Sequence, residues 1–137
     1  MRSSRSPIPW LHIAEEVAKA AARGGYKHAA LLGTRFTMVY PEVFAKHALK
    51  ISAPTEADQQ SVEEIIFKEL VNGIFSEASR LRYNEVINRM KARGCDSVIL
   101  GCTEIPLLVR VDDCPLPALD STRLLARAAV DAALQLY

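Results

Sequence analysis

The stretch Ser97-Val98-Ile99-Leu100-Gly101-Cys102-Thr103-Glu104 decides the fold prediction for this 137-residue chain. Its first half is a short, continuous apolar run, which is typical of a strand buried on both faces of a parallel sheet. Gly101 then permits a tight turn. The residues that follow, 104–109, predict a short helical turn. The stretch therefore indicates one strand–turn–helix unit of an α/β fold.

A second stretch, Ala29-Ala30-Leu31-Leu32-Gly33-Thr34, repeats this design of apolar run, glycine and small polar residue. Weaker strand signals lie at 50–53 and 116–119. Helical patterns separate the strands, with a capping box at Ser61-Val62-Glu63-Glu64 opening one of them. The expected helices span 12–23, 37–49, 61–73, 76–94 and 122–136, the last capped by Asp120 or Ser121.

Alternation of short buried strands with helices predicts a three-layer open parallel sheet with helices on both faces. We expect one such domain over residues 8–137, preceded by a frayed tail at 1–7. The last helix, 121–136, is apolar around nearly its whole circumference, and such a helix requires burial on every side. We therefore expect it to pack on another domain or another subunit.

Composition excludes several classes of protein. The net charge of +1 supplies no electrostatic basis for binding nucleic acid or an anionic membrane. No apolar stretch approaches the ~20 residues that a membrane span needs, and no signal peptide is evident at the start. Three cysteines without a C-x-x-C spacing argue against both a disulfide framework and a zinc site. We expect a cytoplasmic protein with reduced thiols and no metal.

Chemistry is expected where the strands end, because ligands of open α/β sheets bind outside the carboxyl ends of the strands. Cys102 precedes a helix, whose amino terminus lowers the pKa of a thiol and favours the nucleophilic or proton-accepting thiolate. The alternative is that Cys102 is a small apolar residue in a packed corner. Thr103 offers an amide and a hydroxyl for a carboxylate, or caps the next turn. Glu104 either assists proton transfer or is an ordinary first-turn carboxylate.

The other strand end supplies Thr34 and Thr37, whose hydroxyls either bind an anion or serve as turn and cap residues. Gly33 and Gly101 leave backbone amides accessible to the same ligand.

The segment Gly101-Cys102-Thr103-Glu104-Ile105-Pro106-Leu107-Leu108 resembles the second cysteine motif of the aspartate/glutamate racemase family, particularly its aspartate racemase branch. Four other segments resemble the family pattern in the same order. They are 8–14, the threonine-rich 31–38, 65–70 and 119–122. The resemblance thus runs from about Ile8 to the end of the sequence.

This resemblance implies a cofactor-independent racemase for a small acidic amino acid. In the family two α/β domains enclose the substrate, and two cysteines face its α-carbon from opposite sides. Cys102 matches the second cysteine, and Thr34 and Thr103 match residues of the substrate pocket. Glu104 stands where the glutamate racemase branch has a histidine.

The sequence departs from the family in two respects. It resembles the second half only, so the first cysteine is not matched and we expect impaired activity without a partner. That partner is either a separate first half or a second copy in a homo-oligomer. Leu125 also replaces a histidine that is common in the aspartate branch.

Two other functions remain open. In the first, the chain is a non-catalytic, truncated or degenerate domain that binds a small dicarboxylate. In the second, it catalyses a related reaction such as maleate isomerisation or malonate decarboxylation.

Overall fold

The computed structural model describes residues 13–33, 39–101 and 105–135. The predicted tail at 1–7 lies outside these residues. Helices and strands alternate along the chain, joined in two places by a single 3₁₀ turn. In order they are α1 (Ile13–Arg23), β1 (His28–Leu32), α2 (Val39–Lys46), β2 (Lys50–Ser52), α3 (Glu56–Lys68), a 3₁₀ turn (Leu70–Asn72), α4 (Glu77–Ala92), β3 (Ser97–Leu100), α5 (Ile105–Leu108), a 3₁₀ turn (Val111–Asp113), β4 (Ala118–Asp120) and α6 (Ser121–Gln135).

The described strands form one sheet in the order β2-β1-β3-β4, and every neighbouring pair is parallel. The register places Leu31 opposite Ile99 in the central pair and Leu100 opposite Asp120 at the β4 edge. Parallel pairing needs a crossover between strands, which the helices provide. The predicted open parallel sheet is confirmed.

Alternate residues of the strands point to opposite faces of the sheet, and each face has its own core. One face is packed against α3, α4 and α5, and its strand residues are Ala30, Leu32, Val98 and Leu100. The other is packed against α1, α2 and α6, and its strand residues are Ala29, Leu31, Ile99 and Leu119. The predicted three-layer arrangement is therefore confirmed.

The predicted start of α3 was wrong. The helix begins at Glu56, and the Thr55 hydroxyl caps it by accepting the Asp58 N–H at 3.3 Å. Ser61 therefore lies inside the helix, where its expected capping box has no function. A threonine with a carboxylate three residues later is an equally good helix start, and this earlier one adds a further helical turn.

Two other boundaries differ from prediction. α3 ends at Lys68, and the chain then makes a 3₁₀ turn closed by Gly73, whose φ of 76° suits glycine. β4 starts at Ala118 because Pro117 has no N–H for the ladder; its carbonyl instead accepts the Val98 N–H at 2.9 Å. The cap predicted for α4 is confirmed, since the Ser76 hydroxyl accepts the Ser79 N–H at 3.1 Å.

α6 packs on α1 and β4 but leaves much of its apolar surface open. Asp120 caps it by accepting the Arg123 N–H at 3.1 Å, as predicted. Ser121 is the one buried residue among the fifteen described in α6, while Val130 is 58% and Leu134 is 70% exposed. The predicted excess of apolar surface on this helix is therefore real. None of the described helices combines the length and apolarity that crossing a membrane requires.

Candidate functional site

The order of the strands reverses between β1 and β3, and the carboxyl ends of these two strands are called the crevice below. From β1 the chain moves outward to β2, and later returns to place β3 on the other side of β1. The connection after β1 and the connection after β3 therefore lead to helices on opposite faces of the sheet. In open α/β sheets this reversal is where ligands bind, outside the carboxyl ends of the strands.

The structure brings the two predicted glycines, Gly33 and Gly101, together at this crevice. Leu32 and Leu100 are paired in register, and each is followed by its glycine. The Gly101 N–H donates to the Leu32 carbonyl at 2.9 Å, which extends the ladder beyond the last strand residues. The two loops that carry the predicted chemistry therefore start side by side.

Two polar side chains hold these strand ends in place. On α3, the Gln59 side-chain amide donates to the Gly33 carbonyl at 2.8 Å. At the start of α6, the Ser121 hydroxyl donates to the Leu100 carbonyl at 2.9 Å. These two contacts hold the backbone at the points where the two loops begin.

A third residue, Tyr40 of α2, contacts Ser121 in the same region. Its side chain is buried and hydrogen-bonded with Ser121. Burial raises the pKa of the Tyr40 phenol, and the hydrogen bond with Ser121 partly opposes this. The phenol therefore stays neutral near pH 7 and acts as a hydrogen-bonding group.

The sequence did not predict that Gln59 and Tyr40 would contact the ends of the strands at the crevice. Each is an ordinary residue of a helix, with no local motif to single it out. Ser121 was predicted only as a possible cap of α6. The sequence 119–122 did match the family pattern, and that match was the available signal.

The predicted catalytic and binding residues come after Gly33 and Gly101 in the sequence. They are Thr34, Thr37, Cys102, Thr103 and Glu104, and all five are outside the described residues.

The two described cysteines do not have the features of a catalytic thiol. Cys95 is buried and Cys114 is half-buried, and both are free. Burial raises the pKa of each thiol, which disfavours the reactive thiolate. Within the described ranges, no three histidine, cysteine or acidic side chains come together as a metal site would require.

Known proteins are similar to this chain in both sequence and fold. The sequence profile of the Asp/Glu/hydantoin racemase family matches residues 2–129. A Yersinia pestis protein assigned to the Asp/Glu racemases is 42% identical, with a TM-score of 0.86. An aspartate racemase homologue from Pyrococcus horikoshii is 27% identical, with a TM-score of 0.83. The aspartate racemase of Picrophilus torridus is 25% identical, with a TM-score of 0.75.

These alignments cover 93%, 93% and 91% of this chain but only 57%, 57% and 53% of the three relatives. The chain thus spans little more than half the length of the solved structures that it matches. The profile match, the shared fold and the strand ends at the crevice all agree. The chain belongs to the Asp/Glu/hydantoin racemase family.

Proposed function

We propose that this chain supplies one side of a cofactor-independent amino-acid racemase site, with Cys102 as its acid/base. The proposal rests on the adjacency of Gly33 and Gly101. The Gly101 N–H donates a 2.9 Å hydrogen bond to the carbonyl of Leu32, the residue before Gly33. Cys102 is the next residue after Gly101, and Thr34 is the next after Gly33. One small ligand at the crevice would therefore lie next to the residues from which both loops start.

Proton transfer at the α-carbon requires an acid/base, a binding site for the substrate carboxylate and a group that assists the acid/base. The Cys102 thiolate removes the α-proton of a small acidic amino acid and becomes a thiol, leaving a planar carbanion on the substrate. Thr34, Thr37 and Thr103, with the amides of Gly33 and Gly101, bind the substrate carboxylate. Glu104 orients or relays the proton at Cys102.

Inversion of the α-carbon needs a second proton donor on the opposite face of the carbanion. These 137 residues hold one cysteine in the family motif, so we propose that the other donor comes from a first-half domain or from a second copy. Without it, the Cys102 thiol returns a proton to the face from which it came. Racemisation is then impaired, while exchange of the α-proton with solvent persists.

This difference provides the test. L-Aspartate is incubated with the protein in heavy water, and deuterium at the α-carbon is followed by NMR while the D-isomer is measured by chiral chromatography. We expect Cys102-dependent deuterium incorporation with little D-aspartate. Cys102→Ala should abolish incorporation, and Cys114→Ser should leave it unchanged because Cys114 has no assigned part in the reaction.

The absence of incorporation at high protein concentration would contradict the catalytic proposal. If L-aspartate nevertheless binds saturably, the domain is the non-catalytic dicarboxylate binder that the sequence leaves open.

We propose a cytoplasmic location on thiol chemistry alone, because a reducing compartment keeps Cys102 in its reactive form.

A further inference from the structure

A cavity of about 220 Å³ lies at the carboxyl ends of β3 and β4, and neither Gly33 nor Gly101 is among its lining residues. Leu100, Val109 and Leu119 contribute apolar walls from β3, from the segment after α5 and from β4. Asp120, Arg123 and Arg127 contribute charges at the carboxyl end of β4 and along α6. An apolar cleft with a few converging charges is the usual design of a small-molecule site.

The two arginines are available to a ligand. Arg123 and Arg127 are both exposed and lie one helical turn apart on α6. Neither forms an ion pair within the described part of the chain. Like charges at this spacing repel each other. A carboxylate between them would relieve that repulsion, and the planar guanidinium group suits bidentate pairing with a carboxylate.

Asp120 adds a charge of the opposite sign at the same cavity. One of its oxygens accepts the Arg123 N–H at 3.1 Å, and the Asp120 side chain makes no other hydrogen bond to a described residue. The other oxygen is therefore available to a cation. A ligand that carries only a negative charge would meet this carboxylate unfavourably, whereas a ligand with both an ammonium and a carboxylate group would match the charges of the site.

Size and polarity restrict the rest of the ligand. A volume of about 220 Å³ corresponds to roughly seven water molecules at ~30 Å³ each, which suits a molecule as small as leucine or valine. The leucine and valine walls favour an apolar side chain, because a second carboxylate placed against them would lose its hydration without a partner.

We propose that this cavity binds a free α-amino acid with an apolar side chain. Its carboxylate pairs with Arg123 and Arg127, its ammonium group pairs with Asp120, and its side chain lies against Leu100, Val109 and Leu119. This site goes beyond the proposed racemase function, since it contains neither glycine and requires no proton transfer.

Isothermal titration calorimetry with L-leucine tests the proposal, with isocaproate (leucine without its ammonium group) and L-aspartate as matched probes. We expect saturable binding of leucine, with isocaproate and aspartate at least about tenfold weaker, since each loses a charge-assisted or apolar contact. Arg127→Gln should weaken leucine binding by a similar factor. Asp120→Asn, which retains a good helix cap, should do the same. Arg82→Gln, an exposed arginine on α4, is the control and should have no effect.

Three results would overturn the proposal: no saturable heat with leucine, leucine binding that is unchanged in Arg127→Gln, or isocaproate binding as tightly as leucine. Circular dichroism of each variant confirms that the fold is intact. Arg127 is exposed, so its substitution leaves the core undisturbed. The assay contains no turnover measurement, so its outcome is independent of the proton-exchange experiment on Cys102.

Discussion

The two helical layers that cover the sheet are built differently. The layer of α3, α4 and α5 buries large side chains, with Tyr83, Ile87 and Met90 of α4 at most 1% exposed. In the layer of α1, α2 and α6 the large buried side chains belong to α2, which buries Tyr40 and Phe44. By contrast, α1 buries three alanines and one valine, and α6 buries a serine. Since stabilisation follows the apolar area removed from water, α1 and α6 contribute less per residue than α4.

Polar contacts follow the same division. In the first layer Arg80 is nearly buried and pairs with both Glu77 and Asp113, which ties α4 to the segment before β4. Glu69 accepts hydrogen bonds from Ser76 and Ser79, joining α3 to α4. In the described part of the second layer, Glu15 of α1 pairs with His47, the residue after α2, at 2.7 Å.

The difference shows which helices hold the larger buried side chains, while both layers also expose apolar ones. In the first layer Phe67, Leu81 and Leu107 are each more than half exposed. The second layer ends in a helix whose outer apolar face remains exposed. The following substitutions test this contrast, starting with the largest expected effect.

Ile87→Ala in the first layer should lower the free energy of unfolding by about 2–5 kcal/mol, because Ile87 is fully buried and its truncation leaves a cavity. Urea denaturation followed by circular dichroism measures the change. Leu81→Ala on the same helix is the control, since Leu81 is 51% exposed and should cost little. Equal losses at both positions would contradict the assignment of Ile87, and not Leu81, to the buried core of this layer.

Ser121→Ala should lower the free energy of unfolding by about 1–3 kcal/mol, because it leaves the buried Leu100 carbonyl without its side-chain donor. The neighbouring exposed hydroxyl provides the comparison, and Thr122→Ala should be nearly neutral. Thermal unfolding of the two variants measures the difference. A neutral Ser121→Ala would show that the strand end at the crevice does not depend on α6.

Glu15→Gln should have a small, pH-dependent effect, in the range of about 0.2–1 kcal/mol found for exposed ion pairs. The hydrogen bond from His47 lowers the pKa of the Glu15 carboxyl below its ordinary value of 4.5. The unfolded chain therefore binds the proton first as pH falls. The stabilisation is present above pH 4.5 and is lost as pH drops through the folded pKa.

Urea denaturation of wild type and Glu15→Gln at pH values near 7 and near 3 checks this sign. The difference between the two proteins should be larger at the higher pH. A difference that grows on acidification would contradict the proposed direction.

Val130→Gln and Leu134→Gln on the outer face of α6 should change the free energy of unfolding by no more than about 0.5 kcal/mol, because both side chains are more than half exposed. The measurement is made at two protein concentrations. A loss well above 1 kcal/mol, growing with concentration, would mean that another molecule covers this face in solution.

Much of the fold was predictable because its signals are local. Apolar runs ending in glycine located β1 and β3, and the Ser76 cap with the Gly94 stop located α4. The start of α3 was not predictable from local signals, since Thr55 and Ser61 both offer a hydroxyl followed three residues later by a carboxylate. Choosing between them requires knowing how much of the helix packs on the sheet.

The candidate site divides in the same way. The glycine–cysteine motif could be recognised from consecutive residues, and so could the threonines after β1. The anchoring roles of Gln59 and Tyr40 could not, because their partners, Gly33 and Ser121, are 26 and 81 positions away in the sequence.

The sequence by itself determined the class of fold, the family motif and the residues that carry reactive groups, because these depend on side-chain chemistry and short-range periodicity. Only the tertiary structure decided that β3 lies beside β1 rather than beside β2, and hence that Gly33 and Gly101 meet at one crevice. Strand order arises from hydrogen bonds and packing between segments 68 residues apart, and the energy of such long-range pairing is not encoded in any single stretch of the chain.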